Sequence, residues 1–64
     1  MRTETLPSYT RAVVHLLILD YGVPGDMLDD LIPDITEHYH QGYSVEACAF
    51  GIQDELEHAL EYGN

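Results

Sequence analysis

The run Ala12-Val13-Val14-His15-Leu16-Leu17-Ile18-Leu19 has seven apolar residues out of eight and no glycine or proline to interrupt a helix. It predicts a segment buried on nearly all sides, the floor on which the rest of the chain packs. By composition alone it also suits a buried strand. Its neighbours decide the matter, because Tyr9, Ala12, Val13, Leu16 and Leu17 recur at the i, i+3, i+4 and i+7 spacing of one helix face. The run falls far short of the roughly 20 residues needed to cross a bilayer.

Two further helices follow the same logic. The spacing predicts helices over about 7–21, 27–41 and 45–62. Thr5 or Ser8 is expected to cap the first, with Pro7 in its first turn and Gly22 at its end. Val23-Pro24-Gly25-Asp26 reads as a turn with Asp26 as the second cap. Leu28, Leu31, Ile32, Ile35 and Tyr39 then form a continuous stripe as far as Gly42. Pro33 interrupts that helix by removing one backbone donor, yet the apolar phase survives across it. A kinked helix or two nearly collinear pieces is therefore expected. Ser44 opens the third helix, whose stripe of Val45, Cys48, Ala49, Ile52, Leu56, Ala59 and Leu60 is the best defined in the chain. Gly51 inside it suggests a close approach to another helix. The expected fold is all-α, a compact three-helix bundle forming one acidic domain over residues 1–64.

A chain of 64 residues can bury only one small core. Chains of this size commonly add disulfides, a metal or a partner subunit. Cys48 is the single cysteine, so no internal disulfide can form, and its small and apolar neighbours mark it as a core residue. A lone thiol and an N-terminus without a signal-type apolar region together predict a cytoplasmic protein.

Little in the sequence points to catalysis. Ser8 and Ser44 read as helix caps, and neither a Gly-rich phosphate loop nor a nucleophile elbow is present. His15 reads as a histidine at the edge of the core. His38 and His40, two apart, face different sides of a helix. Glu55 and His58 have the spacing of a di-metal carboxylate motif but supply it only once. No catalytic residue, metal site or cofactor is expected, and the chain reads as a non-enzyme.

Charge is the informative quantity. Twelve acids stand against two arginines, a formal charge of -10, which disfavours direct contact with nucleic acid or anionic membranes. The natural charged partner is a basic protein surface. Asp26, Asp30 and Asp34 lie four apart, with Asp29 and Glu37 extending their side of the second helix. On the third, Glu46, Asp54, Glu57 and Glu61 share the face opposite the core. Each like-charge pair at this spacing costs a helix about 0.2 to 0.5 kcal/mol. Phe50 falls among these third-helix acids, an aromatic ringed by polar groups as in a binding hot spot. Arg11 is expected to neutralise an acid on a neighbouring helix.

In size, acidity and helical plainness the whole chain resembles small phage-encoded inhibitors of bacterial defence, in particular the anti-CRISPR proteins that act as DNA mimics. It shares no diagnostic motif with them. The resemblance implies an inhibitor working in the host cytoplasm, bound to the basic DNA-recognition channel of a CRISPR effector complex. The candidate contact residues, taken from the helical wheel, are Asp26, Asp29, Asp30, Asp34, Glu37, Glu46, Phe50, Asp54, Glu57 and Glu61. One acidic stripe gives a charge every ~6 Å along a helix, against one per ~1.7 Å in duplex DNA. Mimicry therefore requires both acidic faces or two copies. The alternative reading is a small helical interaction module, antitoxin-like or regulatory, that pairs or homodimerises through an apolar helix face.

Overall fold

Thr5 opens the first helix in the computed structural model, which describes residues 4–62 and their side chains as far as Ala59. Its hydroxyl accepts a hydrogen bond from the Ser8 amide at 3.3 Å, satisfying one of the donors a helix start leaves without a partner. α1 spans Leu6–Leu19, with Pro7 in its first turn. The chain then turns through Gly22, whose φ of +67° is costly for residues with a Cβ. The Val23 amide reaches back to the Leu17 carbonyl at 2.9 Å.

Asp26 does not cap the second helix. It lies inside a single 3₁₀ turn, Gly25–Met27, which closes when the Met27 amide donates to the Pro24 carbonyl at 3.1 Å. α2, Leu28–His40, follows directly without a side-chain cap. It runs through Pro33 as one helix, so of the two forms expected there the separate pieces do not arise. Leu31 and Ile35 are buried on either side of the proline, which shows why the phase had to survive it. Ile32, at the edge of the stripe, is instead exposed.

α2 ends in a Schellman motif. Gly42 takes a φ of +88°, the Tyr43 amide bonds the His38 carbonyl, and the Gly42 amide bonds that of Tyr39. Ser44 then starts α3, Val45–Tyr62, its hydroxyl accepting from the Ala47 amide at 3.1 Å. No strand occurs among the described residues, and the architecture is the expected all-α three-helix bundle.

The core draws on all three helices: Tyr9, Val13 and Leu17 from α1, Leu31 and Ile35 from α2, Cys48, Ala49 and Ile52 from α3, with Val23 closing one end. Burying a side chain such as Leu17 or Ile52 contributes about 1.5–3 kcal/mol. Leu60 lies outside the residues whose side chains are described.

The apolar run of α1 is not buried on all sides. Val13 and Leu17 are fully enclosed, but Ile18 is 43% and Leu19 70% exposed, and His15 is exposed rather than set at the core edge. A helix turns by about 100° per residue, and two partner helices cover only one side of it. Eight consecutive residues cannot all face them.

Candidate functional site

The carboxylates occupy two separate outward faces. Leu31 and Ile35 fix the inner side of α2, which turns Asp29, Asp30, Asp34 and Glu37 to solvent, and Asp26 joins them from the preceding 3₁₀ turn. Cys48, Ala49 and Ile52 fix the inner side of α3 and leave Glu46, Asp54 and Glu57 exposed. The side chain of Glu61 lies outside those described. Those of the ten sequence-derived residues whose side chains are described thus lie on two surfaces, one on α2 with the turn before it and one on α3, as the sequence led us to expect.

These charges stand largely uncompensated. None of the eight described carboxylates just named forms an ion pair among the described residues, and Glu37 accepts only a side-chain hydrogen bond from Gln41, at 3.3 Å. Arg11 does not play the neutralising part expected of it. It is exposed on α1 and pairs with no acid among the described residues. Local electrostatics offsets part of the repulsion. Asp29 and Asp30 sit in the first turn of α2 and Glu46 in that of α3, where the helix dipole favours negative charge. Asp54 and Glu57, farther along α3, gain nothing from it.

Phe50 is 59% exposed, one turn from Glu46 and one turn from Asp54. The Tyr43 ring, in the loop that follows α2, lies against His38, with centroids 5.0 Å apart. Tyr39, the last residue of the α2 stripe, is a packing residue. It meets Tyr9 edge-on at 5.1 Å and donates its hydroxyl to the Glu4 carbonyl at 2.9 Å.

The remaining chemistry is structural. Cys48 is fully buried. Burial pushes its thiol upward, a hydrogen bond with Tyr9 opposes that shift, and the negative charge of Asp34 adds to it. The protonated thiol is thus the form the fold favours, unlike a nucleophile. The His38 Nδ1–H donates to the Asp34 carbonyl at 2.7 Å, while His40 lies against the Tyr39 ring on another side of α2. No group of three or more potential metal ligands comes together among the described residues. No helix among them is long and apolar enough to cross a membrane.

The outward side of α1 is the surface that sequence reasoning missed. Residues 6–19 contain no acid at all, whereas α2 holds four and α3 five. That blank stretch was the available signal. The bundle thus defines a class in coarse terms, an acidic three-helix protein with carboxylates on two helices and none on the third. Comparison with protein-family models, curated proteins and solved structures finds no match to this chain.

Proposed function

We propose that this protein is an acidic inhibitor that works as a DNA mimic and occupies a basic nucleic-acid-binding surface, such as the DNA-recognition site of a CRISPR effector complex. The observation that carries the reading is the uncompensated set of outward carboxylates on α2 and α3, with Phe50 exposed among those of α3. Asp26, Asp29, Asp30, Asp34 and Glu37 act as surrogate phosphates from one face, and Glu46, Asp54, Glu57 and Glu61 from the other. Phe50 is the apolar anchor. A carboxylate surface of this kind gains affinity by meeting lysines and arginines arranged for a polyanion, and it gains encounter rate by long-range attraction. The protein acts by occupying a site rather than by chemistry, in the host cytoplasm if a phage encodes it.

The test is capture from bacterial lysate at about 0.1 M salt and again at about 0.5 M, where the screening length falls well below 10 Å. Retention of a nucleic-acid-binding complex at the lower concentration only, lost again when the acids of both faces become Asn and Gln, is the expected result. A folded variant so neutralised that still captures the same complex overturns the proposal.

A further inference from the structure

Neither the core nor the acidic surface accounts for the outward face of α1. Ile18 and Leu19 form an exposed apolar ridge with His15, and a shallow groove lies on each side of it. One, of about 270 Å³, is bounded by Arg11, Val14, His15 and Ile18. The other, of about 320 Å³, runs between α1 and α3, where Leu19 is joined by Val45 and Glu46. Two copies of a chain with charge -10 repel each other over most approaches. Among the described residues this face brings apolar groups together without a row of carboxylates, its groove towards α3 holding only Asp20 and Glu46 as acids.

The flanks of the ridge also carry opposite signs. Arg11 stands on one side and Glu46 on the other. The Tyr9 hydroxyl meets the Tyr43 and Ser44 carbonyls at the start of α3. Two residues on from Ser44, Glu46 therefore lies near the level of Arg11, two residues on from Tyr9, in a groove whose α1 lining runs from Ala12 to Asp20. A two-fold axis running parallel to α1 exchanges the flanks while keeping their level, so each Arg11 faces the second copy's Glu46. We propose that the α1 face is the interface of a parallel homodimer, in which Ile18 and Leu19 of each copy enter the second copy's grooves and Arg11 pairs across the interface with Glu46, which is thereby withdrawn from the acidic face of α3. The ridge flanked by two grooves, and an arginine with no ion pair among the described residues, favour a second copy over an unrelated helix. The dimer does not depend on the identity of any inhibited target.

Sedimentation equilibrium of the full chain over a wide concentration range tests this directly. The expected mass rises from 7.2 kDa towards twice that value as concentration increases. Leu19→Glu, at an exposed position that tolerates charge in the monomer, is expected to remain monomeric with unchanged helical circular dichroism. Arg11→Glu should weaken association about tenfold or more, and the double variant Arg11→Glu/Glu46→Arg should restore it. A wild-type chain that stays at the monomer mass throughout, or a dimer indifferent to Leu19→Glu, overturns the proposal. Failure of the charge swap to restore association rejects the parallel pairing. Target capture by monomeric Leu19→Glu separates this inference from the mimicry reading, because loss of the dimer with capture intact leaves that reading standing.

Discussion

The hydroxyl of Tyr9 donates to the backbone carbonyl of Tyr43 at 2.9 Å, across 34 positions of sequence. The contact ties the first turn of α1 to the connection between α2 and α3, and the Tyr9 ring is at the same time fully buried. Tyr9→Phe keeps the ring and removes only the hydroxyl. We expect a loss of about 1 kcal/mol, read as a fall of roughly 4–8 °C in thermal midpoint for a domain of this size, with helix content unchanged at low temperature. An unaltered midpoint would show that water replaces the hydroxyl without cost.

Pro33 sits inside α2 and is exposed. Its ring nitrogen cannot donate to the Asp29 carbonyl, and its side chain contributes nothing to the core. Pro33→Ala is expected to stabilise the fold by about 1–3 kcal/mol, the upper part of that range being the full penalty of a proline in a helix interior. Urea denaturation would show a higher midpoint with an unchanged slope.

Gly51 offers a smaller gain on α3. A Cβ built there meets only His38 Nε2, at 3.9 Å, which is ordinary contact. The close approach suggested by the glycine is thus real but not tight. Gly51→Ala should stabilise by about 0.5–1 kcal/mol through the unfolded chain and the helix propensity. Destabilisation by the same change would mean that α2 and α3 lie closer than 3.9 Å implies.

The thiol of Cys48 titrates above its ordinary value of 9.0 because it is buried. A folded-state pKa raised above the unfolded one gives stability that is complete below the unfolded value and is lost as pH climbs through the folded one. The stability difference between wild type and Cys48→Ala should therefore be constant from neutral pH to about 8 and shrink under more alkaline conditions. Parallel urea titrations of the two proteins isolate this effect from the ionisation of the tyrosines. A difference that stays constant to high pH would count against a desolvated thiol.

Salt should act in opposite directions on folding and on binding. Screening the carboxylates of α2 and α3 relieves repulsion within the monomer, so its thermal midpoint is expected to rise between low salt and about 0.5 M. Affinity for a basic partner should fall over the same range. Chaotropic anions would confuse the first measurement, and sodium chloride and potassium chloride should agree.

Local signals in this sequence were reliable at most of the described helix ends. Thr5 and Ser44 cap the helices expected of them, and Gly22 and Gly42 end theirs with positive φ. Cys48, Ala49 and Ile52 are buried as their stripe required, and Phe50 is exposed where its wheel position put it. The failures concern quantities a periodicity does not contain. Apolar content marked Ile18 and Leu19 as core, but how much of α1 is covered depends on how many helices surround it. Asp26 has the residue type of a cap, yet Pro24 and Gly25 permit a 3₁₀ turn that displaces the helix start to Leu28. The bond from Tyr9 to Tyr43 joins residues whose proximity exists only once the bundle has formed. The acids of the candidate surface were legible as two helix faces, while the turn that carries Asp26 ahead of its helix was not.

The blank outer side of α1 and the carboxylates of α2 and α3 make the molecule an electric dipole as well as an anion. In the field of a positively charged surface such a body experiences a torque before contact, and it arrives with α1 trailing. Bound in that orientation it would hold the Ile18 and Leu19 ridge away from the basic surface, on the side where a second copy can still seat against it.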